Sequence, residues 1–333
     1  MSQYEVNISG SPQENWNDTL TEGESESLAL FHTAFWADCL TELVGYEPLF
    51  LSVNKDNQPL LRLALFSCSF LKVKGAWNLA VHTTRALLSL KTGTIQWYGQ
   101  PVFFKEADET AYRLLAEAVD ELARKKKVKL TGGEWPLEMG SVLPGHWKMQ
   151  KWASLKVDLT RELETIFSNF KPAARKAIKK AQRDGITVRR TANENELLEY
   201  GRFATNCAKR YGKRNFRGDD YLLYQNKLRQ KNFIFETFYA EHLGQIIAGL
   251  SVYGDKKRIL EMGSFQSEKS FREKLYGPDL IKWHIIQWAK SSGIRQFDLA
   301  GINPDPSDPK ERNIRKFKEK WGGVYFEYLV VRR

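Results

Sequence analysis

The chain holds 333 residues, 42% hydrophobic and 13% aromatic, which suits two domains of ordinary size and excludes a low-complexity disordered polymer. Cys39, Cys68 and Cys207 are scattered without CxxC spacing, which excludes a disulfide framework and a cysteine-bound zinc and agrees with a reducing, cytoplasmic setting. The net charge of +11 is uneven: the first 54 residues carry nine acids and no Lys or Arg, leaving 51 basic against 31 acidic residues beyond them, a surplus that draws polyanions such as tRNA, nucleotide diphosphates or anionic lipid headgroups.

Residues 1–27 are polar and acidic, and read as a poorly ordered tail without the basic and apolar regions of a secretory signal. A first domain, 28–150, opens with an amphipathic helix over 28–44. Strands follow at 49–53, 60–70 and 95–98. A strongly periodic helix spans 107–126, with Tyr112, Leu115, Ala116, Val119, Leu122 and Ala123 on one face. A buried strand at 128–131 and a Gly- and Pro-bearing loop over 132–146 complete the unit. The longest apolar stretches, near 60–71 and 77–90, are interrupted by Arg62, His82 and Arg85 and are too short to cross a bilayer.

The second domain, 151–333, starts with a strand at 152–159 and a helix over 163–184 that stops at Gly185. Strand 186–190, helix 194–209, a basic aromatic loop at 211–218 and helix 220–230 come next. Three strands, 233–240, 245–253 and 258–265, are joined by connections of hairpin chemistry. Helix 277–290, strand 295–300, a Gly- and Pro-rich loop, a basic helical turn over 314–321, the pair Gly322–Gly323 and a last strand end the chain. This order makes an α+β fold of two domains, each a mixed, largely antiparallel sheet flanked by helices.

Four groups of residues carry candidate chemistry. Lys171, Arg175, Lys176, Lys179, Lys180 and Arg183 give six cations and no acid in thirteen positions, a stripe that suits a phosphate backbone. Arg210, Tyr211, Lys213, Arg214 and Arg217 interleave cations with aromatics, as phosphate binding and base stacking require; a plain surface loop is the other reading. Asp298 interrupts an apolar strand beside a Gly loop, where it either handles a proton or binds loop amides. In the last helical turn Ile314, Phe317 and Trp321 share a face and are expected to pack inward, which would fix the neighbouring Lys318; the alternative is a solvated cation among Arg315, Lys316 and Lys320. His32, His82, His146, His242 and His284 are isolated and read as structural. No metal spacing, no GxSxG and no Ser-His-Asp pattern occurs.

The segments RKAIKKAQRDGITV (175–188), LIKWHIIQWAKSSGIRQFDLAGI (280–302) and IRKFKEKWGG (314–323) resemble the Fem-type aminoacyltransferases, which add amino acids from aminoacyl-tRNA to peptidoglycan precursors. The first half resembles them only through FHTAFWADCLTELVGYEP (31–48). The resemblance implies a pair of GNAT-like acyltransferase domains in a cytoplasmic enzyme without a resident cofactor. It implies aminoacyl-tRNA as donor and a nucleotide- or lipid-linked peptidoglycan precursor as acceptor, with peripheral contact to the inner membrane surface. Lys318 and Asp298 would be catalytic. Arg210, Tyr211, Arg214, Arg315 and Phe317 would hold substrate, and Arg175, Lys176, Lys179 and Lys180 would track tRNA. Two alternatives stay open. One is a GNAT-like N-acyltransferase using acyl-CoA or acyl carrier protein. The stretch REKLYG (272–277) approaches its Q/R-x-x-G-x-G/A phosphate loop but lacks the first Gly. The other is a basic RNA- or lipid-headgroup-binding protein on an inactive acyltransferase scaffold.

Overall fold

Tyr4–Ser9 alternates apolar and polar residues and forms strand β1, paired antiparallel with β2 (Glu47–Lys55). The expected tail is therefore structured over this stretch. Helix α1 (Trp16–Glu22) follows, and its Trp16 is the anchor. Trp16 is 2% exposed, packs edge-on against Phe50 at 5.1 Å, lies under the Arg62 guanidinium and donates its Nε1–H to the His32 carbonyl at 2.7 Å. One buried indole thus offsets the acidic, polar composition that made residues 1–27 read as disordered. The computed structural model describes residues 3–22, 29–69, 93–105, 107–210, 212, 217–231 and 233–333.

The chain divides into two units, Met1–Trp152 with Glu327–Arg333, and Ala153–Phe326. The last seven residues thus pack with the first unit, not with the second as their sequence position suggests. In the first unit, helix α2 (Ala34–Val44) is capped by the Thr33 hydroxyl, which accepts from the Trp36 amide. Strands β3 (Gln58–Ser69), β4 (Gly93–Gln96), β5 (Val102–Phe103) and helix α3 (Glu109–Lys125) lead to β6 (Lys129–Gly132), β7 (Glu134–Pro136) and β8 (Lys148–Asp158). The sheet runs β1-β2-β3-β4-β6 with β5 on β3, and among the described residues only β4 and β6 are parallel. The periodic face of α3, with Tyr112, Leu115 and Val119, covers the sheet residues Leu51, Leu63 and Ile95.

The second unit takes up Ala153–Asp158 of β8, then helices α4 (Leu163–Ser168) and α5 (Pro172–Arg183). The single helix expected over 163–184 is broken because Pro172 has no amide hydrogen to donate back into the preceding turn; it serves instead as the first residue of a new helix. Next come β9 (Thr187–Arg190), α6 (Glu194–Arg210), α7 (Asp220–Gln230), β10 (Ile234–His242), β11 (Gln245–Gly254) and β12 (Arg258–Gln266). Helices α8 (Glu268–Arg272) and α9 (Gly277–Ser291), β13 (Gln296–Ile302), α10 (Pro309–Glu319) and the first three residues of β14 (Val324–Arg332) finish it. Its strands run β8-β13-β12-β11-β10-β9, with β12–β13 the parallel pair. The core gathers Leu155, Phe170, Ile178, Leu250, Ile285, Phe297 and Trp321. The later residues of β14, Tyr328–Val330, belong to the first unit and pair there with β7.

Candidate active site

The parallel pairing of β12 and β13 ends at Leu260 opposite Asp298. Beyond that point the strands part, since β12 continues along β11 and β13 along β8. On β13 the register against β8 slips between Asp298 and Gly301, and Ala300 takes a left-handed φ of +61°. Such a bulge re-aims the groups around it. The Asp298 carboxylate turns back to accept from the Ala300 amide at 2.8 Å, and Lys156 is its direct cross-strand neighbour on β8. Burial pushes the Asp298 carboxyl up; Lys156, Arg258 and Lys318 pull it down.

Lys318 reaches this bulge from α10, donating from Nζ to the Gly301 carbonyl at 3.1 Å. Its ammonium is sunk among other groups even though its stem is half-exposed. Burial lowers it to about 8, opposed by Asp298. Trp321, wholly buried just past the helix, holds the α10 terminus by edge contacts with Phe170 at 5.2 Å and Phe317 at 6.3 Å. Gly322 then turns the chain at a φ of +69°, where a Cβ would meet the Asn169 carbonyl oxygen at 2.7 Å. The Gly-Gly pair therefore fixes how α10 enters β14. Ile314, expected to share the inward face, is 40% exposed, because only the C-terminal end of this eleven-residue helix reaches the core.

Two further charge pairs surround the cluster. Lys320 pairs with Asp279 at 2.5 Å and lies over the Phe317 ring at 4.0 Å. Burial pushes the Asp279 carboxyl up, and Lys320 opposes this. Lys282, 2% exposed on α9, meets the Glu261 carboxylate of β12. None of Lys156, Lys282, Glu261, Asp279 or Lys320 stands out in a search for motifs. The available signal was a charged residue at an inward position of an apolar element: Lys156 within β8, and Asp279 and Lys282 on the Ile286–Ala289 stripe of α9.

The expected substrate-binding residues fare unevenly. Phe317 belongs to the Lys318 cluster. Arg315 turns elsewhere, donating to Glu319 at 2.7 Å, to the Tyr325 hydroxyl at 3.3 Å and to the Pro304 carbonyl. Burial raises Glu319, but Tyr325, Arg315 and Lys171 outweigh it and hold the carboxyl at about 2. Arg210 ends α6, where it donates to the Cys207 sulfur and the Gln266 carbonyl. Tyr211 and Arg214, with Lys213 and Phe216, lie outside the described residues.

Of the expected polyanion stripe, Arg175 closes the preceding turn by donating to the Ser168 carbonyl at 2.8 Å and to that of Phe170. Lys176, Lys179 and Lys180 line a pocket of about 620 Å³ together with Arg183, Tyr276 and Lys320. Lys180 also pairs with Asp184. The pocket lies at the start of α9, where Tyr276 takes a left-handed φ of +56° and caps the helix without a side-chain bond. Its walls carry five cations and no acid, and the helix N-terminus adds positive potential. Lys274, with a φ of +52°, gives REKLYG two left-handed residues at positions other than glycine. Among the described residues no three His, Cys, Asp or Glu side chains gather as a metal site, and no helix is long and apolar enough to cross a membrane.

No protein-family model matches the chain. Over 170 residues it is 26% identical to the UDP-N-acetylmuramoylpentapeptide-lysine N(6)-alanyltransferase of Weissella viridescens, covering 49% of this chain and 48% of that one. The match thus spans about half the length of that curated relative. The fold is similar to that of FemX, with a TM-score of 0.65 at 12% identity over 98% of this chain and 96% of that one. L-PGS from Bacillus licheniformis follows at 0.56 and 15% identity, covering 97% and 92%. A tandem GNAT protein from the clavulanic acid biosynthesis pathway gives 0.54 and 12%, covering 98% of each chain. In sequence over half its length and in fold over nearly all of it, the chain resembles the Fem-type aminoacyltransferases within the GNAT-like acyltransferase superfamily.

Proposed function

We propose that the chain is an aminoacyltransferase that moves an aminoacyl group from aminoacyl-tRNA to an amine of a peptidoglycan precursor peptide. The amine attacks the ester carbonyl; a carbon–nitrogen bond forms, the bond to the ribose oxygen breaks, and the amine's proton ends on that oxygen. The observation carrying the reading is Lys318 at the β13 bulge. With one N–H on the Gly301 carbonyl, its ammonium keeps two donors for the oxyanion of the tetrahedral intermediate or for the leaving ribose oxygen. Asp298 favours the charged form of that ammonium. No covalent enzyme intermediate is needed, since positioning and charge stabilisation suffice for ester aminolysis. The cationic pocket at the head of α9 suits the phosphates of a polyanionic donor. The relative's name supplies the acceptor class.

A thioester donor is the second reading, favoured by the loop over 272–277 with its left-handed Lys274 and Tyr276. One experiment separates the two. The purified chain is incubated with an acceptor peptide amine and either charged tRNA or acyl-CoA, and amide product is measured by mass spectrometry. Product from charged tRNA that disappears after ribonuclease treatment supports the first reading. Ribonuclease-resistant product from acyl-CoA alone overturns it.

A further inference from the structure

Beneath Lys318 lies a charge pair that neither folding nor the chemistry above accounts for. Lys282 faces the core from α9, on the same apolar helix as Ile281, Ile285 and Ile286. Its ammonium meets Glu261 and lies 5.3 Å from the centre of the Phe317 ring, 5.7 Å from Trp321 and 5.9 Å from Phe297. The pair therefore ties β12 and α9 to the two aromatic residues that hold α10 in place. A buried ion pair contributes little to stability compared with apolar side chains of equal volume, so packing alone favours a Met or Leu at 282. What the pair adds is two ionisable groups packed under Phe317, the residue next to Lys318.

We propose that Lys282 and Glu261 are positioning residues for this centre: a buried ion pair that holds the Lys318 ammonium against the β13 bulge and sets the field in which it works. The charged groups facing the pair come from every neighbouring element. Lys318 and Lys320 act on Lys282 from the end of α10, Asp279 on α9 pairs with Lys320, and Asp298 on β13, with Lys156 of β8 and Arg258 of β12 acting on it, faces Lys318. Lys320 has Asp279 and Lys318 has Asp298, so Glu261 is the acid that balances Lys282. Burial and the neighbouring cations Lys318 and Lys320 push Lys282 well below its usual range. Removing Lys282 takes a like charge away from Lys318. Removing Glu261 leaves that like charge uncompensated. The two changes act on Lys318 in opposite directions, which a purely structural pair would not do.

The proposal deepens the reading of Lys318 as the group at the reacting oxyanion and rests on it, but its test does not. The folded full-length chain is trace-labelled with acetic anhydride between about pH 6 and 11, and Lys318 acetylation is followed by peptide mass spectrometry. Lys282→Met raises the pH at which Lys318 becomes reactive, and Glu261→Gln lowers it. Each changes Lys318 reactivity near pH 8 on the order of tenfold, and the double variant returns close to the parent. Thermal unfolding is recorded alongside. Where Lys282→Met unfolds early, Glu261→Gln, the same shape as the parent side chain, carries the test. Shifts in the same direction, or no shift in either single variant, overturn the proposal. Opposite shifts in a chain that transfers no aminoacyl group would overturn the proposed function and leave the positioning pair intact.

Discussion

Helix α5 holds Lys176 and Lys179 out in solvent on one wall of a pocket, while the end of α10 turns the Lys318 ammonium inward onto the Gly301 carbonyl and that of Lys320 against Phe317 and Trp321. The exposed lysines keep their hydration and need no acid of their own. The inward pair has lost water on most sides and is balanced by Asp298 and Asp279, which arrive from β13 and α9. The difference is one of use. An exposed cation meets a phosphate by long-range attraction that salt screens, whereas an ammonium placed in advance in a dry site acts at full strength on a charge that forms there. Exchange of roles between the two helices would break this contrast, and four measurements probe it.

The largest effect is expected in stability. Asp279 and Lys320 have side chains 5% and 15% exposed, and Asp279→Asn leaves the ammonium with a neutral partner in a poorly hydrated place. The expected loss is roughly 3–5 kcal/mol, typical of breaking one side of a buried pair. Lys179→Gln on α5 changes stability by no more than about 0.5 kcal/mol. Denaturant unfolding of both variants checks the comparison, and equal losses would mean that the Lys320 site is wet.

Turnover comes next. Lys318→Ala lowers it about a hundredfold, or about 2.7 kcal/mol of transition-state stabilisation, with unfolding unchanged. Lys179→Ala acts through binding of the donor instead, raising its KM with kcat kept. If Lys318→Ala turns over like the parent, Lys318 is structural and the reacting group lies elsewhere.

Much of this contrast was legible beforehand, and the exceptions share a cause. The i, i+4 pair Phe317 and Trp321 marked the inward end of α10, and the unbroken cation stripe marked α5. What escaped depends on partners distant in the chain. The slip of β13 that brings Asp298 against Ala300 is set by its register on β8, more than 140 residues away in sequence, and no local pattern encodes it. The loss of Arg175 to the Ser168 and Phe170 carbonyls follows from Pro172 starting a helix of its own. Ile314 failed because the face drawn for an ideal helix assumes a neighbour along its whole length. Lys282 and Lys156 were readable as cations in apolar elements, but their acids, Glu261 and Asp298, were not assignable without the sheet order.

The pH dependence sharpens the same point. In the proposed reaction the working form of Lys318 is the ammonium, and burial brings its loss down from the ordinary lysine range to about 8. Transfer therefore stays level below that value and falls about tenfold per pH unit above it. Lys318→Arg keeps the charge through this range, so whatever rate it retains loses the basic limb. A limb left in place in Lys318→Arg would assign the titration to the substrate amine or to another group.

The smallest effect belongs to the exposed helix. Lys176→Gln together with Lys179→Gln removes two cations from the pocket wall and leaves Lys180 with Asp184 and Lys320 with Asp279. Binding of a short single-stranded RNA, measured against salt, should then lose about 1.4 from the slope of log K on log salt, at about 0.7 for each phosphate no longer neutralised. The loss should be largest at low salt and should vanish as screening sets in, because these two side chains act through solvent. The Lys318→Ala variant should keep the parental slope, since a buried ammonium bonded to the Gly301 carbonyl and balanced by Asp298 sheds no counterion when RNA binds. A slope that falls equally in both would place the RNA over the β13 bulge as well, and the division between a gripping helix and a reacting one would have to be redrawn.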